Sequence, residues 1–155
     1  MSLLTCEGVY LVTSVANPTH YLVSNPHPAT TVAATSRTLQ CWRLEHNPET
    51  SLWTMRAIVN QYPHHLNYGG DGGAYLAVDD GATTVATDKT WLTLQPILSE
   101  EKYYYRIENE AKNLVASVEF TPGKPTYAVR SLPRSEDIFT MSHQFWEFKL
   151  MPSAR

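Results

Sequence analysis

The residues best placed to do chemistry are Leu132, Pro133, Arg134 and Ser135, in the stretch SLPRSEDIFTMSHQ at 131–144. Proline holds its own φ near −65° and drives the residue before it into an extended conformation. Leu132-Pro133-Arg134-Ser135 is therefore a stiff, extended segment with a long cation followed by a small residue. That shape suits the deep, aspartate-floored specificity pocket of a trypsin-like protease. A stiff loop also loses less entropy on binding. The chemistry implied is substrate mimicry, an inhibitor segment with Arg134 as primary-specificity residue. The plain alternative is a solvated arginine in a long loop. On either view, replacing Arg134 should leave fold stability within about 0.5 kcal/mol.

Other basic positions fit such a role less well. Lys124 precedes Pro125, and proline just after a scissile bond blocks productive fit. Arg56, Arg106 and Arg130 fall in predicted strands. Arg37, before Thr38, is the second choice. A carbohydrate site would instead join Asp79 or Asp80 to an aromatic platform from Tyr75 or Trp91, although Asp79-Asp80-Gly81 also reads as a tight turn. A cysteine-protease inhibitor would use the loops at Asn17-Pro18 and 69–73. His64, His65 and Asp71 could suggest a metal. Adjacent histidines point to opposite sides of an extended chain, and no H-E-x-x-H or C-x-x-C spacing accompanies them. No metal and no cofactor are expected. Ser135 and His143 share a loop, but no nucleophile–base motif surrounds them, so no catalysis is expected either.

Bulk properties narrow the classes further. The chain has 155 residues and a formal net charge of −3. A domain of that size buries roughly 68–70% of its unfolded surface without staples. Nucleic-acid binding needs a basic face, and the cations here are scattered. No apolar run approaches the roughly 20 residues of a membrane-spanning helix. The start MSLLTCEG carries no secretory pattern. Cys6 and Cys41 are too few for a disulfide framework and read as reduced thiols, with a single disulfide between them as the alternative. A cytoplasmic monomer is the resulting expectation.

The elements that must position these residues are announced by a repeat. TTVAATS at 30–36 recurs as TTVATD at 83–88 and, fainter, as TYAV at 126–129. Each copy follows a strand-like opening at Tyr10, Trp53 or Tyr105, then a short apolar run at Tyr21, Tyr75 or Leu114. A tryptophan strand closes each unit at Trp42, Trp91 or Trp146. Repeats of this kind decide the fold. Val, Thr, Tyr, Trp, Ile and Leu carry the pattern, broken by Pro, Gly, Asn and Asp, so the class is all-β. Three four-stranded units, at about 7–48, 49–99 and 100–152, predict a six-stranded barrel with a hairpin cap. That is a pseudo-threefold β-trefoil forming a single domain over 1–155. The second unit has a long insertion, YPHHLNYGGDGG at 62–73. The third has an enlarged last loop, 131–144. Loops on a rigid scaffold carry function.

Gly8-Val9-Tyr10, Tyr105-Arg106-Ile107-Glu108-Asn109, Gln40-Cys41-Trp42 and Gln144-Phe145-Trp146 also carry a likeness. The chain resembles the mushroom β-trefoil proteins. These include ricin-B-like lectins, the cysteine-protease inhibitors called mycocypins, and the serine-protease inhibitors of the cospin and cnispin type. The resemblance runs the length of the chain and implies a β-trefoil. It also implies a serine-protease partner reached through the last loop at Arg134, or glycans if the lectin side prevails. The second unit departs from the pattern, because no Gln stands two residues before Trp91.

Overall fold

The computed structural model describes residues 7–24, 29–33, 41–58, 75–80, 82–86, 88–119, 126–137 and 141–151, with backbone alone at 24, 29–33, 82, 85 and 126. In chain order the strands are β1 (Gly8–Ser14), β2 (His20–Ser24), β3 (Ala29–Ala33), β4 (Cys41–Asn47), β5 (Leu52–Ile58) and β6 (Tyr75–Asp79). They continue as β7 (Ala82–Ala86), β8 (Thr93–Ser99), β9 (Lys102–Asn109), β10 (Leu114–Glu119), β11 (Thr126–Leu132) and β12 (Trp146–Leu150). A single 3-10 turn, Met141–Gln144, precedes β12, and there is no α-helix among the described residues. No helix there is long and apolar enough to cross a membrane.

The all-β expectation holds, and the sheet is barrel-like. β1 pairs with β4, with Tyr10 opposite Trp42, and β4 pairs with β5 along its full length. β5 meets Leu92, the residue just before β8, through one bridge to Trp53, closed by two hydrogen bonds of 2.8 and 2.7 Å. β8 pairs with β9, β9 meets β12 at Tyr105–Trp146, and β12 pairs with β1. The pairings thus run through six strands and return to the first. β2–β3, β6–β7 and β10–β11 form hairpins beside them. The hairpins join one another: β3 pairs with β11, Thr83 Oγ1 and Ser131 Oγ lie 3.0 Å apart, and the His20 ring stacks on Tyr127 at 4.7 Å.

Burial follows the sequence pattern. β1 alternates because one face meets the core: Tyr10 and Val12 are buried, while Val9 and Leu11 are only partly so. β6 and β10 instead bury four successive residues each, Tyr75–Val78 and Val115–Val118. A short continuous apolar run is the signature of a strand covered on both faces. Trp42 and Trp146 are fully buried, and each indole N–H finds a carbonyl. Trp42 Nε1 donates to Leu22 O at 3.0 Å and Trp146 Nε1 to Ala116 O at 3.2 Å.

The third expected barrel tryptophan is misplaced. The pairs Tyr10–Trp42, Trp53–Leu92 and Tyr105–Trp146 set equivalent positions, so Leu92, not Trp91, matches the other two closing residues. Leu92 is fully buried and Trp91 is 38% exposed. Successive strand residues face opposite sides, so a one-residue slip in assignment moves a side chain from core to surface.

Candidate functional site

Arg134 lies just beyond the end of β11, and its guanidinium turns back onto β9. Nη2 donates to Glu108 Oε1 at 2.8 Å and to Oε2 at 3.0 Å. The Glu108 side chain is 3% exposed, the Arg134 side chain 43%. An exposed arginine therefore neutralises a buried carboxylate. To enter a protease pocket Arg134 would have to leave Glu108 desolvated and unpaired, a costly state. The expectation that Arg134 can be replaced without cost to the fold is corrected for this reason.

Two further contacts fix the same segment. The Gln144 carboxamide grips both ends of it: Nε2 donates to Pro133 O at 3.0 Å, and Oε1 accepts from Ser135 N at 2.8 Å. Asp137 N then donates to Ser135 Oγ at 3.1 Å, and Met141 N to Asp137 O at 2.8 Å. The segment is pre-organised, as its proline suggests. Its walls face a shallow cleft of about 550 Å³ lined by Ser117, Val118, Glu119, Leu132, Pro133, Ser135, His143 and Gln144. Leu132 presents an exposed apolar side chain at the rim. The Glu119 carboxylate lines the far end of the cleft, paired with Ala128 four residues along β11 from Leu132, and stands 3.0 Å from Arg130 Nη1. Chemically, the cleft combines a small apolar surface with a carboxylate, a hydroxyl and an imidazole. Such a set is chemically suited to a polar ligand with one apolar face.

Behind the segment, Arg106 on β9 lies 4.8 Å from the centre of the Phe145 ring. Burial lowers its guanidinium pKa from the ordinary arginine value. The positive charge of Arg134 adds to that effect, while Glu108 and Glu136 oppose it. Arg106 Nε is buried and makes no hydrogen bond among the described residues.

The alternative carbohydrate residues are not brought together. Asp79 ends β6 and Asp80 follows it in the exposed turn, and Lys112 Nζ approaches their carboxylates to 3.1 and 3.8 Å. The hydrogen bond and charge of Asp79 raise the Lys112 pKa above its ordinary value. Tyr75 is buried at the other end of the same strand. Four residue steps of roughly 3.3 Å put about 13 Å of strand between it and Asp79. Trp91 faces Lys89 instead, whose Nζ lies 6.0 Å from the ring centre. Asn17 and Pro18 form a tight turn, with His20 N donating to Asn17 O at 2.9 Å.

Cys41 is buried. Cys6, Arg37, His64, His65, Asp71, Lys124 and the 69–73 loop lie outside the described residues. Among the described ones, no group of three or more His, Cys, Asp or Glu could hold a metal ion. Sequence reasoning missed Glu108, Glu119 and the gripping role of Gln144. Glu108 sits inside the Y-R-I-E-N strand pattern, where an acidic residue reads as solvent-facing. Gln144 was legible only as part of a fold motif.

No family model matches the chain, and no curated protein matches it in sequence. Solved structures do match in shape. Rhizoctonia solani agglutinin superposes with a TM-score of 0.65 at 14% identity, covering 97% of this chain and 100% of that one. The receptor binding domain of botulinum neurotoxin D gives 0.70 at 11% identity, covering 95% of this chain and 42% of that one. A mosquitocidal holotoxin gives 0.67 at 16% identity, covering 96% of this chain and 17% of that one. The chain thus spans less than half of either toxin chain. Likeness at these identities concerns the fold.

Proposed function

We propose that this chain is a β-trefoil carbohydrate-binding module, a single domain over 1–155 that binds glycans through the cleft beside Leu132 and catalyses nothing. One observation carries the proposal: the end-to-end likeness to an agglutinin, nearly the whole of one chain on the whole of the other. The trefoil assignment is supported by six strands paired in a ring with three hairpins beside them. The cleft supports the ligand class. A sugar has an apolar C–H face for Leu132 and a hydroxyl rim for Ser135 and His143, while Glu119, four strand residues away, would meet the next residue of a longer glycan. The Arg134–Glu108 pair counts against a serine-protease inhibitor, because the residue that would fill the pocket is already engaged. Cytoplasmic placement belongs to the same proposal.

A glycan array beside a trypsin titration tests it. Bound glycans that are weakened by Glu119→Gln, with trypsin uninhibited at equimolar protein, is the expected result. Stoichiometric inhibition of trypsin without any bound glycan overturns the proposal and restores Arg134 as an inhibitory residue.

A further inference from the structure

We propose a second saccharide site on the outer wall of the barrel, centred on Trp91 and flanked by Glu45 and Lys89. It rests on the carbohydrate-binding role proposed above and shares no residue with the cleft. Three of the four tryptophans are core: Trp42, Trp53 and Trp146 are buried, while Trp91 is 38% exposed. The antiparallel register set by Trp53–Leu92 puts Thr54 across from Trp91, and the β4–β5 register puts Glu45 across from Thr54. Glu45, Thr54 and Trp91 therefore form one cross-strand row on the face away from the core. Lys89, two residues before Trp91, closes the row. Its Nζ lies 3.8 Å from Glu45 Oε1 and 6.0 Å from the indole centre.

A single exposed apolar side chain needs no explanation. Here the charges on its rim make the difference. At 3.8 Å the ion pair is too long for a hydrogen bond, so the Glu45 lone pairs and the Lys89 protons keep capacity for a ligand. Both side chains are about half exposed, at 48% and 54%. The Lys89 ammonium sits at the outer limit of cation–π range, so it covers the ring only loosely. A flat apolar surface bordered by one acceptor and one donor group fits a neutral pyranose. The C–H face would lie on the indole, one hydroxyl would donate to Glu45, and another would accept from Lys89. Two separate sites would make one chain bivalent, so surface-bound glycans would be held by avidity rather than by either site alone.

Trp91 reports on its own site, because the other three indoles are buried. The probes are the methyl glycosides of galactose, N-acetylgalactosamine, N-acetylglucosamine and mannose, each titrated against acrylamide quenching of intrinsic fluorescence. The expected result is that at least one glycoside shields wild-type Trp91 from the quencher. Glu45→Gln, which keeps an acceptor but removes the charge, should weaken that glycoside about fivefold, and Glu45→Ala, which removes the acceptor, by about tenfold or more. Trp91→Phe should keep weaker binding, measured by calorimetry, and Trp91→Ala should lose it. The cleft variant Glu119→Gln should leave the Trp91 signal unchanged. If the wild type binds array glycans but no glycoside shields Trp91, the second site is overturned while the carbohydrate role stands. If shielding occurs but survives Glu45→Ala at full affinity, the assignment is likewise overturned. If no glycan binds anywhere, both proposals fall together.

Discussion

Trp91 and Phe145 occupy the same position in two successive units, and they meet opposite fates. Each immediately precedes the closing residue of its unit, Leu92 or Trp146, and each faces the residue after the opening aromatic, Thr54 or Arg106. Phe145 is buried and carries Arg106 against its ring; Trp91 is exposed under a loosely placed Lys89. The difference is what folds over the outer wall. In the third unit the enlarged last loop returns to the wall, gripped by Gln144 and pinned by Arg134 to Glu108. In the second unit the described residues before Trp91 run 88–90, with no comparable brace. One scaffold position is thus a core aromatic or a surface platform according to the loop beside it.

Substitution at the two positions gives the largest expected contrast. Phe145→Ala should cost about 3–5 kcal/mol, as for other buried aromatics. Trp91→Ala should stay within about 0.5–1 kcal/mol, a surface change. Urea denaturation of the two variants side by side measures both. Equal losses would mean that the two positions do not differ in packing.

The brace itself comes next. Arg134→Ala strips the partner from a carboxylate that is 3% exposed. Breaking a fully buried ion pair costs about 3–5 kcal/mol. Arg134 is 43% exposed, so water takes up part of the loss, and about 2–3 kcal/mol is expected. A double-mutant cycle with Glu108→Gln separates the pair from the loop. The double variant should be less destabilised than the sum of the singles. Strict additivity would show that the two side chains do not interact in solution.

The same comparison shows how far the sequence alone reaches. The repeated threonine runs and the spacing of Tyr10, Trp53 and Tyr105 marked the all-β class and where most strands fall, because two-residue alternation and turn residues are local signals. The choice between Trp91 and Leu92 was not local. Both are large and apolar, and only the pairing with Trp53 decides which one enters the core. The Arg134–Glu108 pair spans 26 residues. Each partner alone looks like an ordinary surface charge, so a cation that braces the fold resembled one waiting for an enzyme. The extended, proline-stiffened shape of the segment was legible, since proline dictates it residue by residue.

The junction between the two units offers a gain rather than a loss. β8 and β9 are joined by Glu100 and Glu101, between the paired residues Ser99 and Lys102. Both have positive φ, 51° and 66°. A two-residue hairpin loop with positive φ at both positions favours Asn-Gly, because glutamate has no side chain suited to the left-handed region. Glu100→Asn with Glu101→Gly should raise stability by about 1 kcal/mol. A lower melting temperature for the pair would show that the turn holds another conformation in solution.

The smallest effect concerns the residues beneath the two aromatics. Thr54 and Arg106 are equivalent in register, and each buries a polar atom without a hydrogen bond among the described residues, Thr54 Oγ1 and Arg106 Nε. Arginine limits the cost by laying its guanidinium against the Phe145 ring, and the negative charges of Glu108 and Glu136 favour its charged form. Threonine has no such reach, and its side chain is fully buried under the Glu45–Trp91 row. An unsatisfied hydroxyl keeps its full desolvation penalty, whereas a methyl group of the same shape has none to bear. Thr54→Val should therefore be neutral or stabilising by up to about 1 kcal/mol. A loss of stability would mean that Oγ1 has a partner, such as a bound water, and that the wall beneath Trp91 is polar rather than dry.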